Sequence, residues 1–154
     1  MGARSIGREI AMRGIFQIDF GQDLNNVNWQ EAQLENDISE SNNQAQKFAQ
    51  ELIRGFLQKQ EEIDSKISSV SHNWKLSRLA PVDKSILRIA VFELINPKSE
   101  VPPRVAINEA IELSKKYSTR DAAGFINGIL DQVSKEISRG ELESGRDESH
   151  SLSL

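Results

Sequence analysis

Between Pro81 and Pro97 runs a segment with almost no polar side: Val82, Ile86, Leu87, Ile89, Ala90, Val91, Phe92, Leu94 and Ile95. Pro81 suits the first turn of a helix, where its missing N–H is not needed, and Asp83 suits the positive end of the helix dipole. Pro97 stops the pattern, so the spacing predicts a helix over 82–95. A helix that is apolar nearly all round has to sit in the middle of a molecule, with other elements covering every side. Glu93 falls between Ile86 and Ile89 around that helix and, if buried, needs a partner.

The flanking segments have the period to supply the cover. Residues 4–20 place Ile10, Ala11, Gly14, Ile15 and Ile18 on one helical face, and Gly21 is a stop signal. Residues 44–58 carry Phe48, Ala49, Leu52, Ile53, Phe56 and Leu57 at spacings of three and four, and Ile63, Ile67 and Val70 continue more weakly over 60–70. Pro102 and Pro103 introduce a helix over 103–117 with Ala106, Ile107, Ala110, Ile111 and Leu113 as its apolar arc. A last helix, 119–137, turns Ala122, Ile126, Ile129, Leu130, Val133 and Ile137 inward. Strand signals are absent. Residues 22–44 hold ten Asn or Gln in 23 positions, with Trp29, Leu34 and Ile38 as a thin apolar thread, and read as a long loop with at most one short helix. The expectation is an all-α, compact bundle of six or seven helices: one domain over 1–137, followed by a disordered acidic and Ser-rich tail over 138–154.

Charge and composition narrow the function. The chain has 154 residues, no cysteine, two separated histidines and a net charge of −4. Disulfides, Cys-based metal centres and His clusters are thereby excluded, and no cofactor or metal is expected. There is no apolar leader and no run long enough to span a bilayer, so a cytoplasmic protein without membrane contact is expected. Residues 141–154 hold four acids against one arginine and so account for −3 of the −4. Two mild basic patches stand out on the near-neutral remainder, one over 1–16 and one over 104–120, compatible with modest RNA binding. No phosphate loop, dinucleotide fingerprint or nucleophile pattern is present, so no enzymatic activity is expected.

Two places invite a functional reading. In the last helix, Gly124 and Gly128 lie four apart with Phe125 between them, although each interior glycine costs a helix about 1 kcal/mol relative to alanine. Asp121, Gly124, Phe125 and Gly128 fall off the centre of the buried arc. Either the glycines admit a neighbouring helix, with Asp121 closing a capping box from Ser118, or they leave bare backbone beside a ring on which a nucleobase could lie. In the first helix Arg8, Met12, Phe16 and Phe20 form one ridge, with Arg4 a turn earlier. Packing against a second neighbour accounts for Met12 and Phe20, with Arg13 paired to Glu9. Guanidinium and ring on one ridge is equally what single-stranded RNA stacks on. Arg4 and Arg8 read as exposed positions. His72 reads as a surface residue and Trp74 as a packing anchor.

The stretch Trp74-x-Leu76-x-Arg78-Leu79-x-x-Val82-Asp83-Lys84-Ser85-Ile86-Leu87-Arg88-Ile89-Ala90, followed by Glu93-Leu94, resembles the central segment of the NusB transcription antitermination factors. Val101-Pro102-x-x-Val105-Ala106-Ile107-Asn108-Glu109-Ala110-Ile111-Glu112-Leu113 and Phe125-Ile126-Asn127-Gly128-Ile129-Leu130-Asp131 are similar to that family's C-terminal signature. Arg8-Glu9-Ile10-Ala11 opens the first helix as family members do. The resemblance implies an all-α protein of two small helical subdomains. It further implies binding to the boxA element of nascent ribosomal RNA transcripts together with a small-subunit ribosomal protein, NusE, and through them an indirect link to the RNA polymerase elongation complex. By position, Arg4, Arg8, Phe16, Asp121, Phe125 and Asn127 would face RNA, and Asp83, Lys84 and Arg88 the protein partner. Two departures stand out: Ser5 and Ile6 thin the arginine cluster ahead of the first helix, and Phe16 replaces a common Tyr. The alternatives are an RNA-binding module of the kind joined to ribosomal RNA cytosine methyltransferases, and a helical adaptor that binds protein alone.

Overall fold

The computed structural model describes residues 2–21, 40–71 and 78–152, with backbone only for 40–42 and 141–152. Among the described residues there are six helices and no strand: α1 (Ala3–Asp19), α2 (Glu40–Gln58), α3 (Gln60–Val70), α4 (Pro81–Ile95), α5 (Pro103–Tyr117) and α6 (Arg120–Leu152). Of the loop expected over 22–44, residues 22–39 lie outside the described residues, as do the readings of His72 and Trp74, while 40–44 already belong to α2.

The all-round apolar segment takes the place its composition demands. α4 contacts each of the other five helices, and Ile86, Leu87, Ile89, Ala90 and Val91 are buried. α1 packs most closely on α2, and α5 on α6, with α4 between the two pairs. One apolar cluster runs through both groups, from Ile10 and Ile15 through Ile53 and Phe56 to Ile126 and Leu130. Each apolar arc read from the spacing is the buried face of its helix, as burial of apolar area requires.

Two glycines explain how closely the helices approach. A Cβ on Gly7 would stand 2.8 Å from the Ala45 carbonyl oxygen and 2.8 Å from Phe48 Cδ1, so α1 rests directly on α2. A Cβ on Gly55 would collide with the ring of Phe92, which fills that space between α2 and α4. At the end of α1, Gly21 adopts φ 95° and donates to the Ile18 carbonyl at 3.0 Å, closing the helix as a C-terminal glycine does.

Two local expectations are corrected. Phe20, read as packing, is 66% exposed. The cap of α6 is Thr119, not Ser118: Thr119 Oγ1 accepts the Ala122 N–H at 3.2 Å. The backbone of α6 runs on to Leu152, into the segment 138–154 expected to be a disordered tail.

Candidate nucleic-acid interface

The first turns of α6 expose a bare strip. Ala122, Ile126, Ile129 and Leu130 are buried, which turns Asp121, Gly124, Asn127 and Gly128 outward. Phe125 is half-buried, packed at the edge of the apolar cluster with part of its ring free. An alanine methyl at Gly124 or Gly128 would meet nothing within 4 Å. The glycines therefore do not admit a neighbouring helix, and of the two readings left open for them the packing one is excluded. Lys115 and Lys116 at the end of α5, and Arg120, are exposed beside this strip.

Phe16 is tied to the same end of the molecule. Met12, Arg13, Phe16, Gln17, Val82 and Tyr117 line a mainly apolar groove of about 310 Å³. The Phe16 and Phe20 rings sit 4.9 Å apart at 54°. Arg13 stacks 5.4 Å from the Tyr117 ring and donates to its hydroxyl at 2.9 Å. Tyr117 in turn donates to the buried carboxylate of Glu9, which also accepts from Lys116 Nζ at 2.7 Å. Tyr117 ends α5 two residues before the cap of α6, so this network fastens α1 close to the exposed strip. The spacing did not mark Tyr117; it paired Glu9 with Arg13, whereas Glu9 accepts from Tyr117 and Lys116 and Arg13 bonds Tyr117.

The structure separates the remaining RNA-facing candidates. Arg4 is exposed and reaches Glu100 at 3.4 Å, in the turn after α4. It stands about 18 Å along α1 from Phe16, at 1.5 Å per residue. Arg8 is not on the surface: it is 3% exposed, and its guanidinium grips Glu93 through Nε at 3.0 and 3.1 Å and through a terminal nitrogen at 2.9 Å. The Phe48 ring covers it at 5.5 Å. The expectation that Arg8 is exposed is thus corrected, and Glu93 has the partner its burial called for. Arg8 precedes Ala11 and Ile15 by three and seven positions, which puts it on the inward face; that spacing is the signal for its burial.

The candidates for the protein partner divide likewise. Arg88 is buried, donating to Asp64 at 2.9 Å from each of two nitrogens and to Asp19 at 3.2 Å, with its guanidinium 5.0 Å from the Phe56 ring. Its charge is met inside the molecule by carboxylates of α1 and α3. Lys84 pairs with Asp19 at 3.0 Å and keeps only 14% of its side chain exposed. Burial disfavours the charged form of Asp19, but Lys84 and Arg88 outweigh it and hold its carboxyl below the usual range. Asp83 is half-buried in the first turn of α4, and its Oδ1 is enclosed without a hydrogen-bond partner among the described residues. Of the three, Asp83 and Lys84 retain some surface.

Among the described residues no group of His, Cys, Asp and Glu is arranged to hold a metal ion, and no helix is long and apolar enough to cross a membrane.

The model of the NusB family matches residues 5–135. The transcription antitermination protein NusB of Geobacter sulfurreducens is 41% identical over 140 residues, covering 89% of this chain and 97% of that protein. The protein of that name from Myxococcus xanthus is 35% identical over 144 residues, covering 90% and 99%. Among solved structures, T. maritima NusB superposes with a TM-score of 0.71 at 35% identity, over 86% of this chain and 91% of its own. A chain from the crystal structure of antitermination factors NusB and NusE in complex with dsRNA gives a TM-score of 0.72 at 27% identity, over 87% and 97%. A match of this length, together with relatives this similar along nearly their whole chains, means that the protein belongs to the NusB family.

Proposed function

We propose that this protein is a transcription antitermination factor that binds the boxA element of nascent ribosomal RNA together with the small-subunit ribosomal protein NusE. It acts in the cytoplasm, without enzymatic chemistry, and reaches the elongating RNA polymerase through these partners. The observation that carries the RNA side is the strip on α6, where two glycines with open space before them flank the free part of the Phe125 ring. Retaining glycine there costs the helix stability and serves no internal contact, which supports a surface used by a ligand. A base stacking on a ring beside bare backbone is the usual chemistry of single-stranded RNA recognition.

In this reading Phe125, Asn127 and Asp121 contact bases, Phe16 extends the surface from α1, and Arg4 contributes a phosphate contact. The protein side uses Asp83 and Lys84 on the first turn of α4. That a NusB chain similar to this one has been solved together with NusE and dsRNA supports binding to both kinds of partner. Equilibrium binding of a fluorescent boxA-like RNA and of a scrambled RNA, each with and without NusE, tests the proposal. Preference for the boxA-like RNA that grows when NusE is added is expected. Equal binding of both RNAs would reduce it to an RNA-binding module without boxA preference, and NusE binding with no RNA binding would replace it with the protein-only adaptor.

A further inference from the structure

Arg8 and Glu9 are neighbours in the chain, opposite in charge, and both buried, with 3% and 2% exposure. They reach different helices. Arg8 clasps Glu93 on α4, while Glu9 accepts from Lys116 and Tyr117 on α5. Successive residues on a helix project about 100° apart, so the two grips hold α1 from two directions. The pattern continues along the helix: Ser5 donates to Glu109 at 2.9 Å, Arg13 bonds Tyr117, and Asp19 receives Lys84 and Arg88.

These bonds differ in kind from the contact between α1 and α2, where Gly7 lets the helix rest on Ala45 and Phe48. Apolar burial keeps surfaces together but is non-directional. A two-nitrogen clasp between guanidinium and carboxylate holds only in one geometry. Buried ion pairs are weak as sources of stability, and their best-attested use is to select one register over another.

We infer that Arg8 and Glu9 are positioning residues that set the rotation of α1 about its axis and its height along α4 and α5. They thereby fix where Arg4 and Phe16 stand relative to the strip on α6. Arg8 then influences RNA binding without touching RNA, since its charge is neutralised inside. The RNA arm of this inference rests on the function proposed above; the placement of α1 does not.

The test pairs two variants of the full chain. Arg8→Met with Glu93→Leu replaces the clasp by apolar side chains of similar size. Arg8→Glu with Glu93→Arg inverts it. The protein lacks cysteine, so Gly2→Cys and Glu136→Cys, both exposed, supply spin labels on α1 and α6 for a distance measurement. The apolar pair is expected to keep a cooperative thermal transition, broaden the label distance, and weaken boxA-like RNA binding roughly tenfold, a common size for coupling between separate sites. The inverted pair is expected to restore the narrow distance and most of the affinity. An apolar pair with unchanged distance and affinity would overturn the inference, leaving the clasp purely structural. An inverted pair with the native distance but the full loss of affinity would overturn it too, showing that Arg8 contacts RNA. If either double variant fails to fold, Glu93→Gln is read by the same two measurements. Should the unaltered protein bind no RNA, the proposed function fails, while the label distance still judges the positioning of α1.

Discussion

Replacing Gly124 and Gly128 by alanine sets stability against function on one short surface. At both positions an added methyl meets nothing within 4 Å, so neither strain nor new packing enters. What remains is the backbone gain, about 1 kcal/mol for each exposed Gly→Ala change inside a helix. Summed over the two sites, this comes to about 2 kcal/mol. For a chain of this size, 1 kcal/mol moves the thermal midpoint by roughly 2–4 °C, so the double variant should melt about 4–8 °C higher. Gly55→Ala is the control: its methyl would strike the Phe92 ring, and overpacking of this sort costs about 1–3 kcal/mol. Thermal and urea unfolding followed by circular dichroism read both, and titration with boxA-like RNA reads the function. The expected result is a more stable protein with weaker RNA binding, because the methyls stand where a base would lie. A lower midpoint for the double variant would refute the open placement of the strip. A higher midpoint with unchanged RNA affinity would refute its use by RNA.

Phe125→Ala should weaken RNA binding by about 1–3 kcal/mol, and its stability loss in urea should fall short of the roughly 3–5 kcal/mol typical of a fully buried Phe. Arg4→Ala should reduce RNA affinity and flatten its salt dependence, with under about 1 kcal/mol of stability lost, since its pair with Glu100 is exposed on both sides. Arg88→Ala should cost about 3 kcal/mol in urea unfolding, the lower end for breaking a buried ion pair, because Asp19 and Asp64 keep some contact with solvent; a loss below about 1 kcal/mol would contradict an internal role. The depressed pKa of Asp19 stabilises the fold fully above its unfolded value of roughly 4, and the contribution is lost as pH falls through the lower folded value. Asp19→Asn should therefore be less stable at neutral pH and show a shallower acid decline; an unchanged acid limb would refute the linkage.

The helices up to residue 137, their inward faces and the central position of α4 were legible in the chain alone. These depend on local period and on proline and glycine punctuation, which any short window displays. The chain also marked Glu93 as a residue needing a partner and Phe125 as sitting off the buried arc. Tertiary structure decided what those marks meant. Arg8, expected at the surface from its charge, is buried because Glu93, 85 positions away, comes to meet it, and no local pattern encodes that encounter. Arg88 turns inward for the same reason, between carboxylates supplied by α1 and α3. Gly7, Gly55, Gly124 and Gly128 look alike in the chain, yet the first two admit neighbours while the last two face open space. A helical wheel gives the direction of a side chain but not what stands there, and what stands there is contributed by residues far along the chain.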